Sequence, residues 1–135
     1  MIPYCNSNGI GLIPYSPVAA GLLARPVGRT TARTSTKQGD PGTWYTEADV
    51  AIIGRVEEVA KRVDMTMAQV ALTWVFAKVG NAIAGITSVE RLDQNILGDF
   101  SFSREDMDYL EQPYVNCVGF SSKNSLAFVD TCLRV

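Results

Sequence analysis

Histidine is missing from all 135 residues. With it go the Ser-His and Cys-His nucleophile pairs, the histidine general acid and most zinc sites. Any proton transfer carried by this chain falls to Asp, Glu, Lys, Tyr or Cys. Cysteine is scarce as well. Cys5, Cys117 and Cys132 are widely spaced and odd in number. That argues against a disulfide framework and a cysteine zinc site, and fits a reducing, cytoplasmic setting. No apolar run approaches the roughly 18–20 residues that span a bilayer. The start, Met1-Ile-Pro-Tyr-Cys-Asn6, lacks the basic and apolar stretches of a signal peptide. No membrane partner is therefore expected. A net charge of −2 gives no general attraction to nucleic acid. There is no internal repeat.

What is present is enough apolar residue for a core, 47% of the chain. The length suits one domain, or part of a larger one. Residues 10–15 (Ile-Gly-Leu-Ile-Pro-Tyr) read as a short strand ended by Pro14 and Pro17. Residues 16–23 are small, apolar and turn-prone. Arg25 to Thr43 reads as a long loop with basic residues Arg25, Arg29, Arg33 and Lys37. Thr46-Glu47 opens a helix whose buried stripe is Ile52, Ile53, Val56, Val59, Ala60 and Val63, ended near Asp64. Thr66 and Gln69 have the spacing of a capping box for a second helix. Its core face is Val70, Ala71, Trp74, Val75 and Ala77, and Gly80 stops it. A strand at Ala82–Ile86 and a helix at Val89–Leu97 follow. Ser103 then caps an acidic helix from Arg104 to Glu111, before Pro113. Strands alternating with helices predict an α/β fold with a parallel sheet. Two strands are too few for an independent sheet, so the chain reads as a piece of something bigger. Residues 115–135 show no clear period.

The stretch from Asn81 to Asn95 carries the most chemistry. A small apolar strand runs into Thr87-Ser88, and Ser88 is placed to cap the helix that follows. Unpaired N–H groups and the dipole at a helix start both favour a phosphate. Arg91 lies one turn in, where a guanidinium grips phosphate with two hydrogen bonds. Gln94 and Asn95 on the adjacent face suit a base or ribose edge. The other reading of the same residues is an ordinary capped surface helix.

Taken with the first loop, residues 1–114 resemble the C-terminal part of an aldo-keto reductase. Three segments carry the resemblance. Ile13-Pro-Tyr-Ser-Pro-Val-Ala-Ala-Gly-Leu-Leu23 is similar to the family's seventh barrel strand and cofactor loop. Met67-Ala-Gln-Val-Ala-Leu-Thr-Trp-Val75 is similar to the next barrel helix. Gly85-Ile-Thr-Ser-Val-Glu-Arg-Leu-Asp-Gln-Asn95 is similar to the eighth strand and adenosine-phosphate site. The resemblance implies a partial (β/α)8 TIM barrel holding NADP(H), with no metal. By position, Tyr15 matches the aromatic that stacks on the nicotinamide. Ser16, Val18, Gly21 and Leu22 match the loop around the pyrophosphate, and Arg25 falls near a basic contact. Thr87, Ser88 and Arg91 match the 2′-phosphate site. Gln94 and Asn95 match contacts to the adenine edge. Residues 115–135 depart from the family and form a divergent tail.

The family's catalytic Asp, Tyr, Lys and commonly His belong to the first half of the barrel, which this chain is expected to lack. No catalytic residue is therefore assigned. The expected function is NADP(H)-dependent carbonyl reduction on a small-molecule substrate, once an N-terminal half completes the barrel. The alternatives are a non-enzymatic nucleotide-binding module that forms a homodimer through open sheet edges, and a truncated product with no function of its own.

Overall fold

The computed structural model describes residues 1–29 and 46–114. Its elements, in chain order, are α1 (Ile2–Ser7), a 3₁₀ segment (Ala19–Ala24), α2 (Glu47–Arg62), α3 (Met67–Val79), α4 (Val89–Asn95) and α5 (Arg104–Glu111).

The two longest helices begin as their sequences require. At α2, the Thr46 hydroxyl accepts from Asp49 N–H at 3.1 Å, and Asp49 accepts in return from Thr46 N–H at 2.8 Å. At α3, Thr66 accepts from Gln69 N–H at 3.1 Å, and Gln69 accepts from Thr66 N–H at 2.9 Å. These reciprocal boxes satisfy amides that no helical carbonyl reaches. Gly80 closes α3 in the left-handed region, with φ 76°. Ser88 and Ser103 cap α4 and α5 as expected. α4 stops at Asn95, two residues short of the expected Leu97, because Ile96 is already extended.

α3 is the hub. It packs against α1, α2, α4 and the 3₁₀ segment. Every residue from Val70 to Val75 is buried, Leu72 and Thr73 included, so the helix is enclosed on more than one face. Ala77, expected on the core face, is exposed, whereas Val79 in the last turn packs against the core. Ile52, Ile53, Val56, Val59 and Ala60 of α2 meet Val70, Ala71, Trp74 and Val75 of α3, and Ala19, Leu23 and Leu110 close the core. Each fully buried Val, Leu or Ile contributes about 1.5–3 kcal/mol.

Polar contacts lock α5 in place. The Trp74 indole N–H donates to Glu111 Oε1 at 3.0 Å, and Lys78 Nζ reaches the same oxygen at 2.6 Å. Arg55 donates to the Tyr109 carbonyl and lies 4.4 Å over its ring. The Tyr109 hydroxyl donates to Glu58, and Arg62 pairs with Asp106.

The expected strands at 10–15 and 82–86 do not form, and the described residues contain helices but no strand. A strand is held by ladder bonds to neighbours, and apolar sequence alone does not supply them. The side chains meant for a two-sided sheet stay in water: Ile13 is 70% exposed and Ile83 68%. Most of the expected Arg25–Thr43 loop, and the tail from residue 115, lie outside the described residues. Among the described residues no helix is long and apolar enough to cross a membrane.

Candidate functional site

The first candidate loop begins at Tyr15, whose side chain is exposed between two buried prolines, Pro14 and Pro17. The chain then turns sharply. Ser16, Ala19, Ala20 and Gly21 all have positive φ, at 58°, 50°, 55° and 91°. Only glycine adopts that region without cost. The turn is held by Ala19 N–H donating to the Ser16 carbonyl at 2.8 Å and Gly21 N–H to the Val18 carbonyl at 2.9 Å. The Ser16 hydroxyl accepts from Ala20 N–H at 3.2 Å. Val18 and Leu22 pack against the core. Arg25 ends the segment and folds back, its Nη1 3.7 Å from where a Cβ on Gly21 would stand. Ser16, Val18, Gly21, Leu22 and Arg25 thus share one tight loop, and Ala19 and Leu23 anchor it.

The second loop is built around the start of α4. Ser88 Oγ accepts from Arg91 N–H at 3.3 Å. The Arg91 guanidinium reaches back and donates through Nη1 to Thr87 Oγ1 at 3.2 Å. Thr87, Ser88 and Arg91 are therefore gathered at one exposed point. Asn95 lies half-buried in the last turn, and the Gln94 side chain lies outside the described part of the structure. Glu90 was not foreseen. Hydrogen bonds from its own backbone N–H, and then from Ser88, hold its carboxyl below the usual carboxylate range. An acidic residue in the first turn is the signal that points to it. The helix start therefore already faces an anion of the chain's own.

Both loops rest on α3: the 3₁₀ segment packs on it, and so does α4. Gln69 ties the second loop down directly. Its Nε2 donates to the Ile96 carbonyl at 3.2 Å, just past the end of α4. Among the described residues no three His, Cys, Asp or Glu side chains cluster as a metal site would require.

The model of the Aldo/keto reductase family matches residues 1–114. Curated relatives agree. The chain is 41% identical over 117 residues to a putative aryl-alcohol dehydrogenase of Schizosaccharomyces pombe, covering 84% of this chain and 33% of that protein. It is 41% identical over 121 residues to the versiconal hemiacetal acetate reductase of Aspergillus parasiticus, covering 85% and 35%. It is 38% identical over 119 residues to an aldo-keto reductase of Alternaria alternata, covering 84% and 32%. The chain spans about a third of the length of these relatives.

Proposed function

The chain belongs to the aldo/keto reductase family, and from that premise we propose that it is the NADP(H)-holding part of a cytoplasmic carbonyl reductase. The family implies a (β/α)8 barrel and oxidoreductase activity. In this reading residues 1–114 are the closing part of such a barrel, residues 115–135 are a separate tail, and catalysis waits for the missing strands.

One observation supports the reading: the two loops of the matching sequence are fastened to the same helix, α3. The residues fit the group. Tyr15 offers an exposed ring for stacking on the nicotinamide. The positive-φ turn from Ser16 to Gly21, with its small residues, lets backbone come close to a pyrophosphate. Thr87, Ser88 and Arg91 supply hydroxyl and guanidinium donors for a 2′-phosphate, which selects NADP over NAD. Gln94 and Asn95 take the adenine edge. Bound there, the cofactor supplies a hydride to the carbonyl carbon. This chain orients it, and the Tyr that protonates the carbonyl oxygen, with the Lys and Asp that tune its pKa and commonly a His, comes from elsewhere in the barrel.

Titration with NADPH, followed by its fluorescence, tests the reading. A charge-assisted hydrogen bond is worth about 1.5–3 kcal/mol, and solvent around the exposed Arg91 favours the lower end. Arg91→Ala should weaken NADPH about tenfold and leave NADH nearly unchanged. An identical Kd for wild type and variant removes Arg91 from the site. The isolated chain should not reduce a reactive aromatic aldehyde with NADPH, and clear turnover would refute its catalytic incompleteness.

A second reading draws on the exposed Ile13, Ile83 and Val89. A non-enzymatic half barrel would bury them by pairing with another copy of itself. A truncated product with no function of its own would leave them bare.

A further inference from the structure

α4 is held by little packing. It has seven residues, and none of its described side chains is buried. A helix that short does not persist in water by itself, and few buried contacts leave a segment free to open locally. Its placement therefore falls to its ends. Ser88 caps the first. The second is tied to α3 through one side-chain amide. Gln69 Oε1 accepts from Thr66 N–H at 2.9 Å, and Gln69 Nε2 donates to the Ile96 carbonyl at 3.2 Å. A donor on one side and an acceptor on the other leave the amide one orientation. Ile96 passes the tie on, because its own N–H donates to the Leu92 carbonyl at 3.1 Å. The Ile96 side chain does not hold the segment, being 57% exposed. Hydrogen bonds in series thus run from the start of α3 into the body of α4, between Arg91 and Asn95.

We propose that Gln69 is a positioning residue for the adenosine half of the dinucleotide. It acts through α4, fixing where that helix carries Arg91 and Asn95, and not on the ligand itself. The proposal rests on the cofactor reading above. One end of the Gln69 amide serves the α3 cap and the other serves the site, so substitution separates the two roles. Glutamate fills the third position of a capping box as well as glutamine does. An ionised carboxylate has no proton to donate, however, and turns an oxygen on the Ile96 carbonyl. Methionine gives up the tie without adding a charge that would repel a phosphate. Thr66→Ala loses the capping hydroxyl and leaves the tie in place.

The test titrates the full chain with adenosine 2′,5′-bisphosphate by calorimetry and follows amide exchange on the same samples. Gln69→Glu and Gln69→Met should each weaken the probe about fivefold, the scale of one lost hydrogen bond, and speed exchange at the Leu92 and Ile96 amides by a similar factor. In Gln69→Glu, exchange from Val70 to Val75 should stay as it is in the wild type. Thr66→Ala should lower the melting temperature and leave the probe's Kd unchanged. Weakening by Gln69→Glu alone is charge repulsion, equal weakening by Thr66→Ala is a general loosening of α3, and unchanged exchange at Ile96 means no tie; each overturns the proposal. If the wild-type chain does not bind the probe, the cofactor reading fails and the role of Gln69 falls with it. If the wild type binds and the Gln69 variants bind equally well, the role of Gln69 fails alone.

Discussion

Glu111→Ala should unfasten α5 from α3 at a cost that the geometry sets. Glu111 Oε1 takes two donors: the indole N–H of Trp74 at 3.0 Å and the ammonium of Lys78 at 2.6 Å. Trp74 is only 7% exposed, so its N–H has little water to turn to. An orphaned buried donor costs about 1–3 kcal/mol. The Lys78 pair adds little, because both side chains are about one-third exposed and solvent-exposed pairs contribute about 0–1 kcal/mol. The sum is about 2 kcal/mol, or a fall in Tm of roughly 8 °C at about 4 °C per kcal/mol. Trp74→Phe removes the donor and some packing. Once the donor is gone, Glu111→Ala should lose most of its effect. A double-mutant cycle by urea denaturation, read by circular dichroism, should return a coupling of about 1.5 kcal/mol. Strictly additive single effects would refute the claim that this bond holds the helices together.

Three further outcomes follow from single side chains. Among the described residues Thr73 Oγ1 is buried with no hydrogen-bond partner; Thr73→Val should raise stability by about 1 kcal/mol, and a lower melting temperature would show that the hydroxyl is satisfied. Glu90 puts negative charge where a phosphate is expected; Glu90→Gln should tighten NADPH about two- to fivefold, and weaker binding would make the carboxylate part of the site. The Tyr109 hydroxyl is held above its ordinary pKa of 10.0, first by its hydrogen bond to Glu58 and then by desolvation and the Glu58 charge. A raised folded pKa means stability fully present below pH 10 and lost as the pH climbs past the folded value. Tyr109→Phe should flatten that alkaline loss, and an unaltered pH profile would assign it to other groups.

The helices were legible because their signals are local. Thr46, Thr66 with Gln69, Ser88, Ser103 and Gly80 each act within one turn, and the structure uses all of them, adding Asp49 as the partner of Thr46. α1 gave only one cue, a proline at its start. The strands at 10–15 and 82–86 failed because strand pairing depends on chain that lies elsewhere. Ala77 is exposed although it stands two turns on from the buried Val70: periodicity gives the apolar face of a helix but not which neighbour covers each residue on it. At the site, the cap that Ser88 gives to α4 was legible, whereas the Arg91 guanidinium reaching back to Thr87 was not, because Thr87 stands before the helix. The turn at Ser16, Ala19 and Ala20 was not, since none of these residues announces a left-handed backbone. The Glu90 carboxylate occupies the first turn of α4, where a helix start draws the chain's own anion as readily as a foreign one.

The left-handed alanines leave this loop room to relax. An L-residue held there costs about 1–2 kcal/mol. Ala19 is fully enclosed, and its methyl group fills space that glycine would leave empty. Ala20 is only partly covered, so Ala20→Gly recovers the conformational cost with little packing to lose. The segment thus keeps an unused reserve at one position, a place where selection or an engineer could firm the turn without redrawing its path.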